Sequence, residues 1–232
     1  MHCISKRRVK EYNLFNRAFH QTLTPVLIKC LIAILILVPQ CMAMRTHTAL
    51  FPLSPVSSYS QYQLTPGWFS LMSEGQALLK QQTKEALAKA LAKFKEAFAL
   101  SEKSGNKGEM GASRFNEGIA YDGLGKPREA LSAFLDAERY FDAGGWSFLN
   151  PMLQAITGTT YARLGETDKA LDYLNRALPT LRQINIPQFL AHALRELGHV
   201  NIDIGQKRKG IEYLNEALNL YRRLRRGELT RK

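Results

Sequence analysis

The sequence predicts an all-α fold, a right-handed solenoid of about four antiparallel helix pairs. Its first sign is a set of glycines that recur in pairs seven residues apart, with successive pairs 40 residues apart, at Gly118/Gly125, Gly158/Gly165 and Gly198/Gly205. The second is a helix pattern in the same frame: a small residue at 90, 130, 170 or 210, an aromatic residue or leucine four positions later, and alanine after seven. Such self-similarity is characteristic of stacked helical repeats, because one helix pair cannot bury its apolar face alone.

The charge of the chain is concentrated at its two ends. Its 232 residues carry a formal net charge of +12, of which +5 lies in residues 1–43 and +6 in residues 207–232, leaving +1 between them. Because the body is almost neutral, we expect no nucleic-acid partner. The three cysteines all lie in the first 43 residues, so we expect neither a disulfide framework nor a thiolate metal site in the remainder.

The first 43 residues have the three-part layout of a secretory signal peptide. Basic residues come first, an apolar run of nine residues follows at 30–38, and Pro39 then precedes a Cys41-Met42-Ala43 segment that fits cleavage after Ala43. We therefore expect a secreted or periplasmic protein.

Two alternatives stay open for this leader. Residues 22–44 could remain as a membrane anchor with Lys29 reaching the interface, although a membrane span needs about 20 apolar residues. Translation could also start at Met42 or Met44, which would give a cytosolic product.

Residues 44–67 are predicted to be a flexible linker, because three prolines and a serine-rich run interrupt any helical period. The helical repeat domain is predicted at 68–226, and a basic C-terminal tail at 227–232. The arginine-rich run at 222–226 is interpreted as complementing the dipole of the last helix and making the end face of the solenoid polar.

Glycines and small residues explain how the helices of each pair meet. Gly118 lies inside a helix, where glycine costs about 1 kcal/mol relative to alanine, so we expect a close crossing of the partner helix there. Gly125 and its equivalents are predicted to close the first helices in the left-handed conformation. The predicted packing residues are Gly118, Tyr121, Gly158, Tyr161, Gly198, Ala130, Ala170 and Gly210.

These positions resemble the tetratricopeptide repeat over roughly residues 70–226. The pattern Gly118-x-x-Tyr121 followed by Ala130-x3-Phe134-x2-Ala137 is the clearest unit. The period is 40 rather than 34 residues, which is similar to the long-repeat branch found in kinesin light chains and in bacterial signalling arrays. The usual tryptophan is absent, and the first unit fits only with three extra residues after Gly75.

The resemblance implies a concave groove lined by the first helix of each pair, and a role as a protein-interaction scaffold of the cell envelope or exterior. Because the groove would grade from apolar to basic and polar, a protein or peptide partner with an acidic part is expected. A cytosolic peptide-sensing regulator is the alternative. The implied groove residues are Phe115, Ile119, Asp122, Met152, Thr159, Arg163, His192, Arg195, His199 and Asp203, with Ala112, Ala155, Ala162 and Ile202 beside them.

No enzyme signature accompanies the repeats. His199 and Asp203 lie one helical turn apart, a spacing that could hold a metal ion or transfer a proton, but no third ligand or nucleophile is placed beside them. The sequence also lacks a phosphate loop or dinucleotide glycine pattern. We therefore predict no catalytic activity, metal or cofactor, with an enzyme using this pair as a remote alternative.

Overall fold

The computed structural model describes residues 64–184 and 186–226. In these residues the fold is all-α, which confirms the predicted solenoid of helix pairs. The predicted signal peptide, the linker before residue 64 and the tail at 227–232 lie outside the described residues. The α-helices are α1 (Trp68–Leu79), α2 (Lys84–Ser104), α3 (Lys107–Gly123), α4 (Pro127–Ala143), α5 (Asn150–Leu164), α6 (Thr167–Gln183), α7 (Pro187–Asp203) and α8 (Lys207–Arg225), with a 3₁₀ turn at Ser147–Leu149.

Consecutive helices pack against one another, so the four pairs are α1–α2, α3–α4, α5–α6 and α7–α8. The second helices of the last three pairs begin at Pro127, Thr167 and Lys207, which keeps the 40-residue frame. The first helices begin at Lys107 and Pro187, and the 3₁₀ turn at Ser147–Leu149 takes the intermediate position. The 40-residue spacing therefore holds in the last three pairs, although α5 begins three residues later than that spacing predicts.

In each pair, a glycine of the first helix lies against a side chain of the second helix. An added Cβ atom at Gly118 would lie 2.4 Å from the Phe134 ring, and at Gly158 it would lie 2.7 Å from Leu174 Cγ. Each partner follows its glycine by sixteen residues, as does Leu214 after Gly198. Real Cβ atoms essentially never come so close, so these glycines permit the helix crossing.

The first pair has the same crossing, but its second helix begins earlier relative to that crossing. A Cβ atom at Gly75 would meet the Phe94 ring at 2.4 Å, and Phe94 follows Gly75 by nineteen residues rather than sixteen. The additional residues lengthen the start of α2, which begins six positions before Ala90, whereas α4 begins three positions before Ala130. Thr83 caps this extended start by accepting a hydrogen bond from the Ala86 amide. The degenerate first unit is therefore a full helix pair.

The other predicted packing positions lie in or beside the core. Gly125, Gly165 and Gly205 have φ values of +74°, +79° and +85°, so each closes its first helix in the left-handed conformation as predicted. Ala130, Ala170 and Gly210 are buried, and Tyr161 packs against Tyr173 with ring centroids 5.3 Å apart. Tyr121 is half-buried and lies beneath the Lys95 ammonium.

The folded unit begins three residues before the predicted boundary, at Thr65. The Thr65 amide donates a 2.7 Å hydrogen bond to Glu109 Oε1, and the Trp68 indole donates a 2.9 Å hydrogen bond to Ser113 Oγ. Both acceptors lie on α3, in the next pair. The last residues of the predicted linker are therefore held by the repeats.

Sequence reasoning missed the tryptophan in the connection between α4 and α5. Trp146 is buried, stacks on Phe141 with ring centroids 6.4 Å apart, and covers Gly108, where a Cβ atom would lie 2.4 Å from the indole. This contact joins the start of α3 to the link after α4.

Candidate functional site

The candidate site is the surface carried by α3, α5 and α7, the first helices of the last three pairs. α5 contacts α7, and an ion pair between Arg163 and Asp122 joins α5 to α3. The structure thus brings the two charged residues at the ends of α3 and α5 together, which their separation in sequence did not predict.

Most of the predicted apolar groove residues are buried. Phe115 packs against Phe134 with ring centroids 6.0 Å apart, which places its ring in the core of its own pair. The buried members of the predicted set are Phe115, Ile119, Met152, Thr159 and His192. The partly or fully exposed members are Asp122, Arg163, Arg195, His199 and Asp203. The accessible part of the predicted groove is therefore its charged end.

Arg195 binds a carboxylate of its own helix. Its guanidinium donates two hydrogen bonds to Glu196 Oε1, from Nε at 2.9 Å and from Nη2 at 2.5 Å. Burial of Glu196 opposes its ionisation, but the positive charges of Arg195, His192 and His199 outweigh that effect and hold the pKa of Glu196 below its ordinary value. Three basic side chains therefore surround one ionised, buried carboxylate.

His192 connects this cluster to the preceding pair. Its Nδ1 lies 3.5 Å from Thr159 Oγ1, and that hydroxyl donates its proton to the Ala155 carbonyl at 3.0 Å. Because a hydroxyl has one proton, Thr159 offers its oxygen lone pairs to the His192 ring. The contact orients a buried histidine between α5 and α7.

Tyr221 on α8 completes the cluster and was not predicted from the sequence. Burial raises the pKa of Tyr221 far above its ordinary value, while Arg195 lowers it and Glu196 raises it, so the phenol is neutral and lies in the field of both groups. The equivalent positions 40 and 80 residues earlier are Leu181 and Phe141, both buried apolar side chains. That break in the apolar pattern was the available signal for Tyr221.

His199 and Asp203, the pair kept as a remote alternative for an enzyme site, lie near the end of α7. His199 is half-buried and Asp203 is exposed at the end of α7. Over residues 64–184 and 186–226, no group of three histidine, cysteine, aspartate or glutamate side chains could hold a metal ion. In the same residues, none of the helices combines the length and the apolar character that a membrane span requires.

The comparisons with known proteins agree with this architecture at the last pair. Residues 191–223, which cover most of α7 and α8, match the family model of the tetratricopeptide repeat. The fourth helix pair therefore resembles a tetratricopeptide repeat. The resemblance inferred from the sequence is thereby confirmed, and the preceding tetratricopeptide-like pairs share the same frame.

Among solved structures, a candidate kinesin light chain of Podosopora anserina with nearly identical TPR-like repeats is similar at 14% identity. The similarity covers 99% of this chain and 100% of that chain, with a TM-score of 0.49. No curated protein matches the sequence. Tetratricopeptide repeats generally mediate protein–protein interaction, which supports a scaffold or adaptor role.

Proposed function

We propose that this chain is a protein-interaction scaffold that holds an acidic segment of a partner at the charged end of α5 and α7. The observation that carries the proposal is the cluster of Arg195, His192 and His199 around one carboxylate, Glu196. Because Arg195 and His199 are partly exposed beside that acid, a second carboxylate brought by a partner would meet a favourable field.

Glu196 competes with such a partner for the Arg195 guanidinium. A partner carboxylate must share or displace the two hydrogen bonds that Glu196 accepts. Replacing Arg195 alone would leave a buried carboxylate without its main cation, which is strongly destabilising in proteins. A test of binding therefore needs variants that keep this site electrically balanced.

The experiment compares two variants of the full chain in capture from native extract, followed by titration calorimetry on the captured protein. Glu196→Gln frees Arg195 from its own carboxylate and should tighten binding about threefold to tenfold, whereas Arg195→Ala combined with Glu196→Gln should weaken it by a similar factor. Arg139→Ala, on the exposed side of α4, is the matched charge control and should change nothing. Added salt should release the partner from the native chain.

Equal affinity of the native chain and both Glu196 variants would refute the assignment of the site. Thermal unfolding of each variant, followed by circular dichroism, separates a loss of binding from a loss of fold.

The location of the scaffold rests on the sequence of the leader. We propose export, with cleavage after Ala43 and a mature chain that begins at Met44, because a basic segment, an apolar run and small residues at positions 41 and 43 follow in the order of a signal peptide. N-terminal mass spectrometry of fractionated cells tests this proposal. Recovery of the uncleaved chain in the soluble cytosol alone would contradict it.

A further inference from the structure

The last helix of the array presents an apolar stripe that its equivalents keep covered. Ile211 and Leu218 on α8 are 53% and 45% exposed. The residues 40 positions earlier, on α6, are Leu171 and Leu178. Leu178 is buried, and Leu171 packs against a cluster that contains Val200 of α7.

The contacts of α6 show which kind of element packs on such an apolar stripe. In the third pair, the stripe on α6 is covered by α7, the first helix of the following pair. In the fourth pair, the equivalent surface of α8 is exposed. We expected the end face of the array to be polar, but it is charged at the two ends of α8 and apolar in the middle. The repeat places Ile211 and Leu218 where the first helix of a further pair would pack.

The charges on α8 indicate the chemistry of the occupant. Its first turn holds Lys207, Arg208 and Lys209 with no acidic residue, and its last turn holds Arg222, Arg223 and Arg225. Cations at a helix N-terminus oppose the helix dipole, and the first turns of α4 and α6 instead contain Glu129 and Asp168. Positive charge therefore flanks the stripe at both ends of α8. At the N-terminal end this charge opposes the helix dipole.

A second copy of the chain fits this surface poorly. Whether two α8 helices met in parallel or antiparallel, a cationic end of one would face a cationic end of the other, and like charges disfavour such a contact. An acidic helix has the opposite property. Laid antiparallel to α8, as α7 lies on α6, its N-terminal acidic residues would face the arginines and would also complement its own dipole.

We propose that α8 is a docking surface for an amphipathic helix of a partner protein, with an apolar stripe in the middle and acidic residues at both ends. Ile211 and Leu218 are seven residues apart, about 10 Å along the helix at 1.5 Å per residue, so the partner needs apolar side chains two turns apart. This surface is separate from the Arg195 cluster, and either site can fail without the other.

The test is a titration of the full chain with fluorescent helical peptides of about 17 residues, the length of α3 and α7. One peptide carries leucines two turns apart with glutamates at both ends, and the control peptide carries lysines in place of the glutamates. The acidic peptide should bind the native chain, and the lysine peptide should not. Ile211→Ser with Leu218→Ser, and separately Arg222→Glu with Arg225→Glu, should each weaken binding about tenfold or more.

Phe148→Ser is the matched control, because Phe148 is as exposed as Ile211 but lies in the connection before α5. It should leave binding unchanged, and circular dichroism of each variant reports the fold directly.

Three results would overturn the proposal. The first is equal binding of both peptides, or no binding of either at about 100 µM, a weak affinity for a docked helix. The second is a native dimer in sedimentation that the double serine variant converts to a monomer, which would assign the stripe to a second copy. The third is stripe-dependent binding to vesicles of phosphatidylcholine with phosphatidylserine in place of peptide binding, which would assign it to a lipid surface.

Discussion

Replacing Gly158 by alanine tests the helix crossing that organises each pair. The new methyl carbon would lie 2.7 Å from Leu174 Cγ and 3.2 Å from the Ala170 carbonyl oxygen. Non-bonded carbon atoms prefer about 3.5–4.0 Å, so α5 and α6 must separate or Leu174 must leave its rotamer. Leu174 is fully buried, so any new rotamer must displace neighbouring core atoms.

The expected cost follows from two opposing effects. Overpacking a core costs about 1–3 kcal/mol, and alanine is favoured over glycine inside a helix by about 1 kcal/mol, which leaves a net loss of up to about 2 kcal/mol. In a chain of this length each kcal/mol lost lowers the unfolding midpoint by roughly 2–4 °C. Gly158→Leu adds more carbon atoms at the same point and should cost more.

A double-mutant cycle with Leu174→Ala measures the contact itself. That change alone should cost about 2–5 kcal/mol, because it leaves a cavity in the core. In the double variant the added methyl group fills part of that cavity, so the combined loss should be smaller than the sum by about 1 kcal/mol or more. Additive losses, or a gain in stability from Gly158→Ala alone, would show that the helices do not meet at this glycine.

Three further changes test other contacts. Burial raises the pKa of Glu109, so the folded state binds its proton more tightly than the unfolded state. Stability should therefore fall as pH rises from the ordinary glutamate value through the raised pKa, and Glu109→Gln should flatten that dependence in urea titrations; an unchanged slope would contradict the assignment. Burial, with Glu138 nearby, raises the pKa of Tyr173 to about 12, so stability should be lost between pH 10 and 12, and Tyr173→Phe should remove that loss in alkaline denaturation and delete one late-titrating phenol from the absorbance at 295 nm. Trp146→Ala should cost about 3–5 kcal/mol by removing the ring stacked on Phe141, and a cost under 1 kcal/mol in denaturant titrations would mean that the connection contributes little packing.

The repeat frame was predictable because packing in a helix pair depends on spacing. Gly118, Gly158 and Gly198 were assigned to crossings from their period and from the cost of an interior glycine, and each lies against the side chain sixteen residues later. Gly75 obeys the same rule, with the additional residues placed in the first turn of α2. A period determines which residues share a helix face.

How deeply each helix face is buried, and which side chains it contacts, could not be predicted from the sequence. The helix register places Phe115 and Met152 on a known helix face. Whether that face is exposed to solvent depends on tertiary packing, and both side chains are buried. The pair of Arg195 and Glu196 could not be inferred from spacing either, because adjacent helical residues do not normally face each other. Trp146 was missed because its connection keeps the 40-residue frame while replacing a helical turn by a 3₁₀ turn.

The first and last helices of the array differ in the contacts that hold them to the neighbouring pair. At the first pair, hydrogen bonds from Thr65 and Trp68 reach α3, so α1 cannot detach without disturbing its neighbour. At the other end, α8 packs mainly on α7, and the hydrogen bond that joins α8 to the preceding pair, from Arg182 to Glu216, lies at the exposed surface, where an ion pair contributes little. In a linear array whose stability is a sum over neighbouring contacts, the least secured end opens most often. We therefore expect the amides of α8 to exchange with solvent before those of α3, and we expect the array to unzip from its C-terminal pair toward its N-terminal one.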